Sequence, residues 1–214
     1  MKRSSLFDPG CTLCPRLSAF LADVRKEYPE YHARPVAAFG VDDPGLLIVG
    51  LAPGMHGANA TGRPFTGDYA GILLYETLYK FGLSNQPEAS SKDDGLELIN
   101  CRITNAVKCL PPQNKPEGKE INTCNQFLKN ELAALRSGAI VIALGNIAHN
   151  AVVKSMELKA KDYLFGHGKK HPLPGDRWLL DSYHCSRYNT QTKRLTKSMF
   201  QDVFRQATKL LKNK

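Results

Sequence analysis

The sequence predicts an α/β protein organised on an open parallel sheet. Two short apolar runs, residues 46–49 and 139–144, are bounded by turn residues, as strands buried on both faces of such a sheet are. They alternate with stretches whose apolar residues recur at helical spacing. The first run opens into a glycine-rich segment, residues 50–68, and would deliver it to the carboxyl edge of the sheet, where open α/β folds bind ligands. At 214 residues the chain suits one well-buried domain spanning its whole length.

A helix is expected over 16–28, with Leu17, Phe20, Leu21 and Val24 on one face, and a proline- and charge-rich connection over 29–45. After the glycine segment, Leu74, Leu78 and Phe81 mark a helix over 69–81, with Asp68 at its N-cap and Gly82 ending it. The polar stretch 84–94 reads as a mobile surface loop. A second strand over 99–107 carries Thr104-Asn105 toward its carboxyl end, level with the glycine segment. A helix over 119–135 follows, with Ile121, Cys124, Leu128, Leu132 and Leu135 as its stripe. Strand 139–144 is closed by Gly145 and followed by about ten helical residues from Asn146. Residues 166–175 read as a solvated basic loop and 178–183 as the fourth strand. The last helix, 192–211, buries Leu195, Met199, Val203, Ala207 and Leu210; its Lys193, Arg194, Lys197, Arg205 and Lys209 form an ordinary solvated face. There is no internal repeat or low-complexity tract.

Lysine and arginine number 29 against 20 acidic residues, a formal charge of +9, which favours a polyanionic partner. The opening Met1-Lys2-Arg3-Ser4 leads into no apolar leader segment, and no run is long enough for a membrane span, so a cytoplasmic protein without membrane partners is expected.

Six cysteines in a reducing compartment read as metal ligands, catalytic groups or core fillers rather than disulfides. Cys11 and Cys14, two residues apart before a helix, can turn both sulfurs inward; no strand precedes them, which argues against a thioredoxin-like redox pair. Cys124 alone reads as a core residue. Cys109 lies beside Pro111 and Pro112, and with it the pattern becomes C-x-x-C, a long gap, then C-x(14)-C, which fits a closed tetrathiolate site. Zinc and a [4Fe-4S] cluster both satisfy that spacing. Cys101 and Cys185 are left over and expected to bind no metal.

The glycine segment lacks the Gly-Lys-Ser/Thr of a phosphate loop and the spacing of a dinucleotide fingerprint. Gly54, Gly57, Gly62 and Gly67, with Phe65 and Asp68, describe instead a pocket that backbone can approach closely.

Three motifs give the chain a likeness: Gly50-Leu51-Ala52-Pro53 with His56-Gly57 and Thr61-Gly62-Arg63-Pro64-Phe65-Thr66-Gly67-Asp68; Thr104-Asn105 with Cys109-x-Pro111-Pro112-x-Asn114-Lys115-Pro116; and His184-x-Ser186-x-x-Asn189-Thr190. In their order, and with the four cysteines, they resemble the uracil-DNA glycosylase superfamily, specifically its iron–sulfur family 5 (type b) branch. The resemblance implies a three-layer αβα sandwich around a four-stranded parallel sheet and a structural [4Fe-4S] cluster on Cys11, Cys14, Cys109 and Cys124. It implies a monomer acting on DNA that contains damaged or deaminated bases. Phe65 would stack on the extruded base, Asn105 would read its polar edge, and His184 would stabilise charge on the base carbonyl. Gly50, Ala52, Pro53 and Gly54 would border the base. Ser186, Arg187, Tyr188 and Asn189 would enter the DNA groove, Tyr188 and Arg187 filling the gap left behind.

Two positions depart from the pattern. Related iron–sulfur glycosylases carry glutamate where this chain has Leu51, which passes the water-activating role to Asp68 and suits a roomier pocket for uracil, hydroxymethyluracil, ethenocytosine or hypoxanthine. Cys185 replaces a proline, which would loosen the groove loop. No lysine falls among the pocket motifs as a Schiff-base nucleophile, so hydrolysis without strand cleavage is expected. Two rivals are a non-catalytic DNA-binding module with a tetracysteine metal staple and a doubly wound enzyme of small phosphorylated metabolites.

Overall fold

The computed structural model describes residues 7–212; the residues read above as lacking a leader, Met1 to Ser4, lie outside them. The elements run α1 (Pro15–Glu27), β1 (Phe39–Gly40), β2 (Leu46–Gly50), α2 (Ala58–Thr61), α3 (Tyr69–Lys80), β3 (Cys101–Asn105), α4 (Gly118–Ala133), β4 (Ile140–Leu144), α5 (Asn146–Ser155), β5 (Lys170–Leu173), β6 (Arg177–Ser182), α6 (Arg187–Gln191) and α7 (Lys197–Lys212). They form one six-stranded sheet of order β1-β3-β2-β4-β6-β5. The four central strands are parallel, as expected, and β1 and β5 add antiparallel edges that the sequence did not announce. β1 is only two residues long, and β5 carries Pro172, a residue tolerated on an edge strand but read from sequence as a loop.

Alternate residues of the central strands feed two cores. Leu46, Ile48, Ile103, Ile142 and Leu180 pack with Leu74 and Leu78 of α3 and with Phe200 and Phe204 of α7. Leu47, Val49, Val141 and Leu179 face the other way, onto Leu128 and Leu132 of α4 and Ala148 and Val152 of α5. Burial on both faces is why β2 and β4 read as unbroken apolar runs, and it gives the three αβα layers. A third cluster seats Leu17, Leu21 and Val24 of α1 on Val107, Leu110 and Cys124. Arg16 fastens that helix to the capping box of α4, its guanidinium donating to both Glu120 carboxylate oxygens at 2.8 and 2.7 Å.

Local differences have local causes. The last helix starts at Lys197 rather than 192 because Ser186 caps a separate short helix, α6, and Lys193 takes a left-handed φ of 57° that ends it. The loop over 84–94 is anchored rather than mobile: the Asp94 carboxylate accepts from the N–H groups of Ser90, Ser91 and Leu96 and from Arg63. Arg194, assigned to a solvated face, lies over the Tyr183 ring at 4.7 Å. Among the described residues no helix is long and apolar enough to cross a membrane.

Candidate active site

β2 ends at Gly50, paired in parallel register with Asn105 at the end of β3. A Cβ at position 50 would stand 2.4 Å from Asn105 Oδ1 and 2.8 Å from Phe65 Cζ, so glycine is what lets an amide and an aromatic ring share this corner. Phe65 adopts a left-handed φ of 55°, a conformation that costs on the order of 1–3 kcal/mol and persists only where its surroundings impose it. They do so here. The Tyr75 hydroxyl donates to the Pro64 carbonyl at 2.7 Å, and Arg63 Nε donates to Thr66 Oγ1 at 2.8 Å. The Arg63 fork grips Asp94 at 2.8 and 2.6 Å, and that contact holds the Asp94 carboxyl well below the usual carboxylate range. Gly71, in the first turn of α3, leaves space for the Phe65 carbonyl, which would lie 1.9 Å from a Cβ there.

Asp68 caps α3, its Oδ1 accepting the Gly71 N–H at 2.9 Å. Its Oδ2 turns toward the glycine segment, where a Cβ on Gly57 would meet it at 2.7 Å. Burial raises the Asp68 carboxyl above its ordinary value, partly offset by the Gly71 and Ala70 N–H groups. His184, just beyond β6, shows part of its ring to the cleft while protein packs around the rest; that burial pushes it down to about 4, so it is neutral at pH 7. Its ring lies 5.9 Å from Phe65, nearly parallel at 28°.

These groups line one cleft of about 440 Å³. Of the residues expected to bind the base, Ala52, Gly54, Phe65, Asn105 and His184 line it together with Asp68; Gly50 and Pro53 are not on its wall, and Gly50 acts from behind by making room. Asn105 Oδ1 is buried and has no hydrogen-bond partner among the described residues, a state that costs roughly 1–3 kcal/mol until a donor arrives. Leu51 is on the wall, so the cleft has an apolar side at the position where the resemblance implied an acid.

The loop after His184 divides its work. Ser186 and Arg187 reach the cleft, and Tyr188 projects into solvent at 71% exposure. Asn189 turns inward, its Nδ2 donating to the His184 carbonyl at 2.8 Å. Cys185 is fully buried in the core, and with Ser186 capping α6 the loop is tied down rather than loosened. Asn114 and Tyr69 also line the cleft and were assigned no role from sequence. The available signal was position: Tyr69 follows Asp68, and Asn114 sits in the proline loop, where its left-handed φ of 57° suits asparagine.

Cys11, Cys14, Cys109 and Cys124 line a second cavity, walled by Leu13, Leu17, Val107 and Phe127. Burial and then the neighbouring thiols push Cys109 up to about 12, and burial pushes Cys124 up to about 11 despite the Lys108 N–H that Cys124 Sγ accepts at 3.3 Å. Four thiols lining one apolar enclosure, with a backbone donor already aimed at one sulfur, fit a tetrathiolate metal centre. Cys101 and Cys185, the two left over, lie in a different core. Between the two sites, the buried Lys108 ammonium bonds both Glu131 oxygens at 3.0 Å and also Thr104 Oγ1, joining the end of β3 to α4.

The profile of the uracil DNA glycosylase superfamily matches residues 37–208. A type-5 uracil-DNA glycosylase of Thermus thermophilus is 46% identical over 94% of both chains, and one of Pyrobaculum aerophilum is 42% identical over 92% of this chain and 88% of its own. A type-4 uracil-DNA glycosylase of Pyrobaculum aerophilum is 35% identical over 62% of this chain and 60% of its own. The crystal structure of wild-type Pedobacter heparinus SMUG2 shares the fold at a TM-score of 0.50 and 17% identity, over 80% of this chain and 77% of that one. With its parallel core, its glycine-backed cleft and relatives this similar over nearly full length, the chain belongs to the uracil DNA glycosylase superfamily and groups with its type-5 members.

Proposed function

We propose that this chain, as a single domain and a monomer in the cytoplasm, flips uracil or a related damaged base out of DNA and hydrolyses its N-glycosidic bond. The product is an abasic site in an unbroken strand. The observation that carries this reading is the buried, unpartnered Asn105 Oδ1 beside the Phe65 ring. A base inside a duplex cannot be reached, so it must leave the stack at a cost of a few kcal/mol, recovered by stacking on Phe65 and by the N–H it donates to Asn105. The neutral His184 donates a hydrogen bond to the base carbonyl, where negative charge grows as the bond breaks, and the glycine-segment N–H groups add to it. Asp68 holds α3 with Oδ1 and orients water toward the sugar with Oδ2, and the Asn114 amide at the cleft wall is placed to hold that water or the base. Leu51 leaves room for bases bulkier than uracil.

Lys108, just after Thr104-Asn105, is spent on Glu131, and Lys115, inside the second motif, is not on the cleft wall, which supports hydrolysis over a Schiff-base route. Arg187 and Tyr188, exposed beside the cleft, meet the DNA. Cys11, Cys14, Cys109 and Cys124 would hold a [4Fe-4S] cluster, whose part here is to staple α1, the proline loop and α4 together.

The test is a panel of duplexes carrying single uracil, hydroxymethyluracil, ethenocytosine or hypoxanthine, assayed with and without alkali. Alkali-labile sites without direct nicks are expected. DNA binding without turnover on every duplex would favour the binding-module alternative.

A further inference from the structure

Behind β6 from the cleft lies a cluster the reaction does not use: His149 of α5, His171 of β5 and Asp181 of β6, all buried. His149 Nδ1 lies 2.6 Å from Asp181 Oδ1, and its Nε2 lies 2.7 Å from the Tyr163 carbonyl oxygen. Asp181 Oδ2 accepts from His171 Nε2 and from the Gly166 N–H, both at 3.1 Å. Both partners of His149 are acceptors, and a neutral imidazole has one N–H. Satisfying both therefore takes a second ring proton, shared between His149 and Asp181. The same three side chains could approach a cation, but both His149 nitrogens, His171 Nε2 and both Asp181 oxygens already take part in these bonds.

The cluster sits at a junction. Asp181 is three residues before His184, and the chain between is strapped at each step: the Gly145 N–H donates to the Ser182 carbonyl at 2.7 Å, the Tyr183 N–H to His167 Nδ1 at 3.1 Å, and Asn189 Nδ2 to the His184 carbonyl. The His149 N–H closes the first turn of α5 onto the Gly145 carbonyl at 3.1 Å. Gly145 in turn abuts His184, whose Cβ would lie 3.5 Å from a Cβ placed on the glycine. The pair thus locks the start of α5 to the end of β6 at the point from which His184 departs.

We propose that His149, Asp181 and His171 are positioning residues for His184, and that loss of the proton shared by His149 and Asp181 sets an alkaline limit on base excision. The proposal rests on the role assigned above to His184. Burial disfavours the imidazolium, but the Asp181 carboxylate and the Tyr163 carbonyl outweigh it and hold His149 above its ordinary value. Lys169, ahead of β5, opposes them; His171 from β5 and Asp181 from β6 are the other titratable groups facing the ring, with the Phe165 edge against it. A raised histidine pKa means the contribution is complete at low pH and lost as pH rises through the raised value.

Asp181→Asn separates this from a merely structural role. The amide oxygen can still accept from His171 and Gly166, its nitrogen can donate to a neutral His149, and His149 Nε2–H still reaches Tyr163, so the network survives without the labile proton. Steady-state kinetics on a uracil duplex from about pH 6 to 8.5, below the ionisation of the uracil N3–H, should show kcat at pH 7 within about threefold of wild type and no alkaline fall. His149→Ala, which strands the buried carboxylate, should lower kcat at least about tenfold with KM nearly unchanged, the range typical of lost support for a functional side chain. An Asp181→Asn profile that falls with pH as wild type does would overturn the proposal, as would full kcat per folded molecule in His149→Ala. If His149→Ala does not fold, the Asp181→Asn profile decides alone. His184→Ala runs alongside: full activity there would remove the active-site reading itself, a failure distinct from the failure of this proposal.

Discussion

Gly50 and Asn105 face each other across the parallel register of β2 and β3, and the amide occupies the space the glycine leaves, 2.4 Å from where a Cβ would be. Gly50→Ala should therefore displace both Asn105 and Phe65. Misplacement of about 1 Å in a site of this kind costs roughly 100-fold in rate, whereas the overpacking itself should cost about 1–3 kcal/mol of stability. Single-turnover excision and thermal unfolding of the variant measure the two separately; a variant that excises normally would show that the corner does not set the site.

His184 supplies a second expectation. Held down to about 4, it stays neutral across the working range, so its own protonation should not lower activity until pH falls to about 5 or below. For stability the depressed value favours the neutral form, so its contribution is present above the unfolded pKa of about 6.5 and is lost as pH falls toward the folded value. A pH–rate profile with its acid limb near 6.5 would contradict this. His184→Ala should lower kcat by roughly 100–1,000-fold, the loss expected for a donor that acts on developing charge.

The Arg63–Asp94 pair supports the strained Phe65 from below, with side chains 4% and 9% exposed. Asp94→Ala leaves a buried guanidinium without its partner and should cost about 3–5 kcal/mol. Because the Asp94 carboxyl titrates well below its ordinary value, the pair's contribution is present above the unfolded pKa of about 3.9 and lost as pH falls toward the folded one. Unfolding temperature measured from pH 2 to 7 should thus fall more steeply at the acid end for wild type than for Asp94→Ala.

Much of this was legible in the sequence because it follows from burial. β2 and β4 are covered on both faces and read as apolar runs, and the glycines of residues 50–68 announced a backbone that must come close to something. What was not legible depends on contacts between distant segments. Arg63 meets Asp94 across thirty-one residues, so the polar stretch over 84–94 looked mobile. The turn of the Asn189 amide onto the His184 carbonyl and the entry of Asn114 into the cleft follow from loop conformation rather than from any periodicity.

The cysteine site makes the protein's colour a test of its metal. Cys124→Ser should remove the broad visible absorption expected of an iron–sulfur cluster and lower the unfolding temperature, since α1 and the proline loop lose their common anchor. Bound zinc in a colourless wild-type protein would instead assign the site to a zinc thiolate.

The most direct test of the central claim is single-turnover excision from a duplex with one uracil, comparing wild type with Asn105→Ala at matched DNA binding. If the extruded base is held by Asn105 over Phe65, wild type should produce alkali-labile, unnicked strands, and the variant should be slower by roughly 100-fold while still binding DNA. Equal rates in the two proteins, or strands cut before alkali is added, would contradict the account.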